Sequence, residues 1–499
     1  MEMQFSKNTL DYLRQVVWQS KQTEQTQEVK LPDAMPDIGN VLAAWGQPVL
    51  RGKSWHGNAM TANGGVAAWI LYAPEDGTQP QVVETWLPYQ IRWEFPATQR
   101  DGTMLIHTTL QALDARSVSP RKFIVRGVVS ALGEALEPVK QEYSLPVDLP
   151  DHVEALRQSY PITLAKEAGE KAFDLEERLN LPASCQDAKS LMYYCMQPHI
   201  TEKKVLGDKA VFRGMLAIWG LCRCEEDTLC PFQLEVPFSQ NTELQDGYSE
   251  GAQLFMIPAL TNGELELGEE GVVQLKASMV AQYVISDRTV LETVEDVYGL
   301  GVEVEAKWDP LELPVILEQR CDLLRAQAKM EVEADNILDV AFYLGDGRLT
   351  QNGDTIAMHP SGSFQLLYVD PEGNTRSATA DWNGELSWMA ADAAVMLPWA
   401  ENRGVPTAEY QSGNANMYAD IQIDTRTVTM QKIPVLTQLK LGTPKEKDPN
   451  RPSLILRKVG EDSLWQIAKQ SGSRMDDILR ANPDQTQITP DSILLIPVP

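Results

Sequence analysis

Apolar and polar side chains alternate over long stretches of this chain, as they do in β-strands with one buried face. Residues 66–72 are all apolar, and Val66, Ala68, Ile70 and Tyr72 would lie on one face of a strand. The turn signal Pro74-Glu75-Asp76-Gly77 separates this run from a second predicted strand over residues 82–87. Tight-turn dipeptides such as Asn63-Gly64 and Asn262-Gly263 recur along the chain. The pattern predicts a mostly β protein of antiparallel sandwich-like or barrel-like units.

Three landmarks of this pattern return in the same order about 150 residues further along the chain. They are Leu31-Pro32 with Leu181-Pro182, Trp69-Ile70-Leu71-Tyr72 with Trp219-Gly220-Leu221-Cys222, and Leu87-Pro88-Tyr89 with Val236-Pro237-Phe238. A weaker third copy, Gln365-Leu366-Leu367-Tyr368, begins 146 residues after the second. A fixed period of this length is typical of tandem structural units.

Three segments without clear alternation predict helices that join these units. Residues 9–19 place Leu10, Leu13, Val16 and Val17 at helical spacing, and residues 153–179 and 315–328 are rich in Ala, Leu and Glu. The predicted organisation follows in chain order: N-terminal helix and β unit 1 (1–150), linking helix and β unit 2 (151–328), degenerate third β unit (329–441), linker (442–452) and C-terminal module (453–499). The linker has three prolines and no apolar side chain, so we expect an extended tether.

The C-terminal module has apolar runs at both ends and two helix-period segments between them. Leu464, Ile467 and Ala468 recur at i, i+3 and i+4, as do Met475, Ile478 and Leu479. Asp462 or Ser463 can cap the first helix, and Gly472 can end it. The pattern predicts a small strand-helix-helix-strand module.

Composition narrows the classes of function and the compartment. The formal net charge is −27, which disfavours binding to nucleic acid or to an anionic membrane surface. No apolar run has the length of a membrane span, and residues 1–6 lack the features of a secretory signal. We therefore expect a cytoplasmic protein.

The chain offers few candidates for catalysis or metal binding. Its five histidines are scattered, and it has neither a Walker-type lysine loop nor a Gly-x-Ser-x-Gly elbow. Cys222, Cys224 and Cys230 fit none of the common zinc spacings, so core thiols in a reducing compartment are favoured over a metal site. We expect no enzymatic activity, no metal and no cofactor.

The C-terminal module resembles the LysM domain, most specifically in the Leu-Trp-x-Ile-Ala core at 464–468 and the helix-ending Ala481-Asn482. The segment Glu28-Val29-Lys30-Leu31-Pro32-Asp33-Ala34-Met35-Pro36-Asp37-Ile38 resembles the start of SPOCS domains, which occur in spore coat proteins. Tandem SPOCS-type units followed by one LysM domain are similar to the SipL-like spore coat assembly family. The resemblance covers nearly the whole chain.

This resemblance implies a non-enzymatic role in spore morphogenesis. Members of the family act in the mother-cell cytoplasm at the forespore surface, where the LysM domain binds a coat-building ATPase or other coat protein. The alternative is binding of peptidoglycan or another N-acetylglucosamine polymer, as other LysM domains do. An inserted Glu461 and the replacement of an expected glycine by Asp491 disfavour that alternative.

The resemblance also implies where a ligand or partner would bind. The loop before the first LysM helix and the loop after the second line the binding groove of the domain. In this chain these loops supply the candidate contact residues Gly460, Glu461, Asp462, Ser463, Asn482 and Ile488, with Trp465 supporting them.

Overall fold

The computed structural model describes residues 5–96, 102–146, 148–389, 394–445, 452–483 and 488–498. Most of these residues are in antiparallel β-strands, which confirms the predicted mostly β class. The only two α-helices of the described residues lie near the C-terminus, and neither is long and apolar enough to cross a membrane.

The first six strands form two three-stranded sheets. Their bounds are β1 (Phe5–Lys30), β2 (Ile38–His56), β3 (Ala59–Pro74), β4 (Gln81–Glu94), β5 (Thr103–Ser119) and β6 (Lys122–Pro146). The long first and last strands pair in the sheet β1-β6-β5, and the middle strands form the meander β2-β3-β4. Both sheets bury side chains in one core that includes Ile70, Leu87 and Val125.

The next six strands have the same pairing. They are β7 (Val153–Asn180), β8 (Ser190–Leu206), β9 (Lys209–Arg223), β10 (Leu229–Glu243), β11 (Gln253–Leu267) and β12 (Val272–Gly299), arranged as β7-β12-β11 and β8-β9-β10. A short 3-10 helix, Ala183–Cys185, lies between β7 and β8, and another, Glu225–Asp227, lies between β9 and β10.

The remaining strands of the β region repeat the sheet of long strands, but two sheets of shorter strands replace the single meander. They are β13 (Val302–Glu331), β14 (Asn336–Leu344), β15 (Arg348–Asn352), β16 (Thr355–His359), β17 (Ser361–Val369), β18 (Thr375–Asn383), β19 (Leu386–Met389), β20 (Ala394–Gln411) and β21 (Asn414–Pro444). The sheets are β13-β21-β20, β14-β17-β18 and β15-β16-β19. Strand β13 crosses the boundary predicted at residue 328, because its whole length pairs with β21.

The three predicted joining helices are wrong, since residues 9–19, 153–179 and 315–328 lie in β1, β7 and β13. The consecutive apolar pair Val16-Val17 suggested helical spacing, but a register shift between Gln15 and Val17 lets both side chains pack against the core. In β7, Phe173 and Leu175 do alternate and pack on the second core. Pairing with a distant strand overrides the local preference of these segments for helix.

The β region thus has three sets of strands, the first with β1–β6, the second with β7–β12 and the third with β13–β21. Buried polar contacts connect the three sets. Arg426 of β21 forms an ion pair with Glu134 of β6, and its guanidinium lies 4.4 Å from the ring centre of Phe255 in β11. Trp45 of β2 stacks on Tyr193 of β8 with 4.0 Å between ring centres and donates a hydrogen bond to Asp339 of β14. Each of these contacts therefore joins residues that are far apart in sequence.

The C-terminal module has the predicted order of elements. Strand β22 (Leu454–Lys458) is followed by α1 (Leu464–Ser471), α2 (Met475–Ala481) and β23 (Ile493–Pro497), and the two strands pair antiparallel. Helix α1 ends at Gly472, whose φ of 66° is the left-handed conformation that glycine adopts readily. Of the predicted linker, residues 442–444 end β21, whereas residues 446–451 lie outside the described residues.

Candidate partner-binding site

The loop before α1 is held by contacts within the module. Gly460, with φ of 64°, donates its backbone N–H to the carbonyl of Pro490 at 2.9 Å. Asp462 forms an ion pair with Arg457. Ser463 caps α1: its hydroxyl accepts from the Gln466 N–H at 3.2 Å, and the Gln466 side chain accepts from the Ser463 N–H at 2.7 Å. Glu461, in contrast, is exposed.

Asn482 fastens the end of α2 to β23. Its amide nitrogen donates to the carbonyls of Ile478 and Leu495, both at 2.7 Å, and its amide oxygen accepts from the Leu495 N–H at 2.8 Å. Both polar ends of the side chain are thus used inside the module, so Asn482 acts as a structural residue. Ile488 is half-buried and packs on the module core, while residues 484–487 of the same loop lie outside the described residues.

Trp465 does not face an open groove. Its side chain is buried, with 8% of the residue surface exposed, and its indole Nε1 donates to Asp296 Oδ2 of β12 at 2.8 Å. Its ring meets Tyr298 edge-on, with 4.8 Å between ring centres. The only aromatic residue of the module therefore lies in an interface with the second set of strands.

Several polar contacts and an apolar core hold the module at the start of β7 and the end of β12. The Tyr298 hydroxyl donates to the Ser473 carbonyl at 2.8 Å, and Lys469 Nζ lies 2.7 Å from both oxygens of Asp296. Arg474 pairs with Glu154 at 3.5 Å. Leu156 and Leu300 pack on the same core as Trp465. The module is therefore docked on the β region, in contrast to the freely tethered arrangement that the linker sequence suggested.

The electrostatics of this interface favour a charged Asp296. Burial alone would raise the pKa of the Asp296 carboxyl, but the hydrogen bonds from Lys469 and Trp465 outweigh burial and lower the pKa below its ordinary value. The docked state therefore stabilises the ionised carboxylate, and the carboxylate in turn stabilises docking.

The sequence interpretation missed the most exposed apolar surface of the module, the outer face of the β22–β23 ribbon. Leu454, Leu456 and Ile493 are 55%, 71% and 57% exposed on this face. Leu456 lies opposite Leu495, and Lys458 lies opposite Ile493. The inner face of the same two strands carries Leu494 and Ile496, which are buried in the module core. The unbroken apolar run 454–456 was the available signal, since a strand with two apolar faces buries only one against its own helices.

A second candidate site is a cavity where all three sets of strands meet. Its lining includes Trp45, His107, Cys195, Phe342 and Glu401. Burial lowers the pKa of His107 to about 3 and raises the pKa of Glu401 well above its ordinary range, so the environment favours the neutral form of both groups. A cavity with these walls suits an uncharged ligand better than an ion.

Three thiols come together in the second set of strands, where the sequence interpretation favoured core thiols without a metal. Cys222 and Cys224 are buried, as expected, and share one side of the chain with 3.8 Å between their sulfurs. Cys185 joins them from the loop before β8, so that the three sulfurs lie within 4.8 Å of one another. Cys185 is 37 residues upstream of Cys222, which is why spacing within the Cys222–Cys230 segment did not indicate the cluster.

No protein-family model and no curated protein matches this chain. Its function must therefore be argued from its own residues and their geometry.

Proposed function

We propose that this protein is a non-enzymatic adaptor in spore coat assembly, with SPOCS-type β units as a scaffold and a LysM-like module that binds the coat-building ATPase. The observation that carries the proposal is the outer face of the β22–β23 ribbon, where Leu454, Leu456 and Ile493 are exposed on the same face. The adaptor acts in the mother-cell cytoplasm at the forespore surface, as the family resemblance implies.

The chemistry of this face fits a protein partner. Three aliphatic side chains on a two-stranded ribbon form a flat apolar surface without aromatic rings, and protein interfaces have apolar centres of this kind. Lys458 and Asp491 form an ion pair of 2.7 Å at one end of the face, which supplies a polar rim. The partner surface is therefore apolar with polar groups at its edge.

The same geometry disfavours the glycan alternative. Recognition of a sugar polymer uses hydrogen-bonding side chains together with an aromatic surface. The polar groups of Asn482 and Ser463 are engaged inside the module, and the ring of Trp465 packs against Tyr298. Glu461 is exposed, and its carboxylate adds a negative charge to the loop before α1.

Docking of the module supports an adaptor with a fixed geometry. Asp296 and Tyr298 hold one side of the module, and the ribbon carries its apolar face on another. A partner bound to the ribbon would take a defined orientation relative to the β region, because the module does not rotate freely when docked.

The test is a binding measurement with the full-length chain and the purified coat-building ATPase. Leu456→Asp places a charge at the centre of the apolar face and is expected to weaken binding at least tenfold. Leu479→Asp is the matched control, because Leu479 is also exposed but lies on α2. Thermal melting of each variant verifies that the module stays folded.

A parallel sedimentation assay with peptidoglycan addresses the alternative. Sedimentation of the wild-type chain with peptidoglycan, combined with no measurable binding to the ATPase, would replace the adaptor by the glycan-binding function. Equal ATPase affinities for the two variants would instead remove the ribbon face from the proposal.

A further inference from the structure

The thiol cluster is built from two separate segments of the second set of strands, the loop before β8 and the end of β9. Cys185 ends the 3-10 helix Ala183–Cys185, Cys222 lies near the end of β9, and Cys224 follows that strand. All three residues are buried, and their sulfurs lie within 4.8 Å of one another. Cys222 and Cys224 are neighbours along the chain, and the fold brings Cys185, 37 residues upstream of Cys222, to them.

A fourth cysteine borders the cluster. Cys230 of β10 lies directly opposite Cys222 in the β9–β10 ladder, so their side chains project to the same face. Its backbone carbonyl lies 3.3 Å from the Cys222 sulfur, whereas its own sulfur is outside the group of three that lie within 4.8 Å of one another and would have to move closer to bind the same ion. Cys230 is half-buried, so the cluster is closest to solvent on the side of this residue.

The spacing of the sulfurs matches that of a tetrahedral thiolate site. Zn–S bonds of about 2.3 Å at tetrahedral angles place neighbouring sulfurs about 3.8 Å apart, and the Cys222 and Cys224 sulfurs are separated by 3.8 Å. The other distances within the group of three, at most 4.8 Å, would need only a small contraction. Four thiolates, three of them shielded from solvent, are the ligand set of a closed structural zinc site.

The equivalent place in the first set of strands shows what the cluster replaces. There, Arg121 donates hydrogen bonds to the carbonyls of Pro32 and Met35, and the Tyr72 hydroxyl donates to the carbonyl of Pro36 at 3.0 Å. These contacts fasten the loop between β1 and β2 to the sheet.

In the second set the residues 150 positions later cannot make those contacts. Gly271 stands in place of Arg121, Cys222 in place of Tyr72, and Cys185 in place of Met35. Gly271 has φ of 70°, and a Cβ atom there would lie 2.8 Å from the Gln186 backbone. The loop before β8 thus has thiols where the first set has the hydrogen bonds of Arg121 and Tyr72. A metal ion bound by these thiols would hold the loop against the sheet in their place.

We propose that Cys185, Cys222, Cys224 and Cys230 bind one thiophilic divalent cation, with the chemistry of zinc, that fastens the loop before β8 to the β9–β10 hairpin. The site is structural, since four protein ligands leave no open position for a substrate. It is independent of the adaptor function proposed for the C-terminal module.

The test measures metal content and ligand type in the full-length protein purified under reducing conditions. We expect about one zinc ion per chain after reconstitution and, with cobalt in its place, the intense absorption of a tetrahedral thiolate site. Cys222→Ser and Cys224→Ser should lose the metal and the cobalt spectrum. Cys195→Ser and Cys321→Ser, a buried and an exposed thiol outside the cluster, should keep both.

The wild-type spectrum decides the question even where a cluster variant fails to fold. A wild-type chain that binds neither zinc nor cobalt after reconstitution would overturn the proposal. So would a folded Cys222→Ser/Cys224→Ser double variant that binds one metal ion with the wild-type cobalt spectrum. A chelator should lower the melting temperature of the wild-type protein and of Cys321→Ser alike, and an unchanged melting temperature after metal removal would contradict the fastening role.

Discussion

The indole Nε1 of Trp465 donates a hydrogen bond to Asp296 Oδ2 at 2.8 Å and thereby joins the C-terminal module to strand β12. The two residues are 169 positions apart, and Lys469 adds an ion pair to the same carboxylate. A tryptophan that the sequence places in a binding groove is thus part of an internal interface. Whatever binds this module meets it in an orientation that the β region sets.

Asp296→Asn should loosen this interface. The substitution removes the charge that Lys469 faces, and hydrogen bonds to charged groups contribute about 1.5–3 kcal/mol before solvent screening reduces the value. We expect faster amide hydrogen exchange in α1 and α2 of the full-length variant. Glu292→Gln, a neutralised exposed carboxyl on the same strand, is the control. Unchanged exchange in Asp296→Asn would show that apolar packing alone holds the module.

Docking should also weaken in acid. The pKa of Asp296 is lowered in the folded protein, so its contribution is present above the ordinary aspartate pKa of about 3.9 and is lost as pH falls through the lower folded value. Hydrogen exchange of α1, corrected for its intrinsic pH dependence, should therefore show added opening below about pH 4. This acid step should be absent from Asp296→Asn, and a step of equal size in the variant would assign it to another group.

Arg426 connects all three sets of strands, so its loss should be costly. Arg426→Met leaves Glu134 charged and buried, with Gln15 as its remaining hydrogen-bond donor at 2.9 Å. We expect a loss of about 3–5 kcal/mol in the free energy of unfolding. The double variant Arg426→Met/Glu134→Met should recover much of this loss, because no uncompensated charge remains.

Chemical denaturation of both variants checks this expectation, with Lys432→Met as the control. Lys432 forms an exposed ion pair with Glu312 at 2.8 Å, and removal of such a pair costs about 1 kcal/mol or less. A single Arg426→Met variant as stable as the control would show that water reaches Glu134.

The strand-like segments of the sequence predict the mostly β fold class correctly, but they do not predict the long strands. Residues 66–72 are predicted to form a strand and lie in β3. Strands β1 and β13 are wrongly predicted to contain helices. Each has adjacent apolar residues at a register shift, Val16-Val17 in β1 and the segment around Ile316 in β13, and such residues interrupt the strand alternation. Their partners, β6 and β21, lie about a hundred residues away, and no local pattern encodes that pairing.

In the candidate site, too, local features could be predicted from the sequence and tertiary contacts could not. The cap of α1 is local: the sequence predicts Asp462 or Ser463 at this position, and Ser463 is the N-cap. The contacts of Trp465 with Asp296 and Tyr298, and of Cys185 with Cys222, depend on tertiary packing that a single sequence does not reveal. The apolar run 454–456 indicates two apolar strand faces. The sequence does not show which face α1 and α2 cover, so the exposed face could be identified only in the structure.

Asp339→Asn should stabilise the protein at neutral pH. Burial raises the pKa of Asp339 to about 6, although hydrogen bonds from Tyr193, the Val340 backbone and Trp45 act in the opposite direction. The folded state therefore holds its proton more tightly than the unfolded chain, and stability falls as pH rises from about 4 to about 6. Asparagine keeps an acceptor for Trp45 without this cost, so we expect a gain on the order of 2–3 kcal/mol at pH 7.

Unfolding curves between pH 4 and pH 8 test this expectation. The wild-type protein should lose stability across the interval relative to Asp339→Asn, and Asp381→Asn, an exposed site on β18, should follow the wild type. Parallel curves for the wild type and Asp339→Asn would mean that Asp339 is ionised in the folded protein at the lower pH.

Asn482→Ala separates a structural from a ligand-binding role for the residue that ends α2. Its amide makes three hydrogen bonds to backbone groups of Ile478 and Leu495. Loss of these bonds leaves half-buried backbone groups without partners, so we expect the module to lose about 2 kcal/mol of stability. Local opening of β23, measured by hydrogen exchange at Leu495, should report this loss directly. Gln470→Ala, whose side chain contacts Arg457 on the surface, is the control and should change exchange little. A groove residue would instead alter ligand affinity while leaving exchange at Leu495 unchanged, and that outcome would restore the sequence interpretation of Asn482.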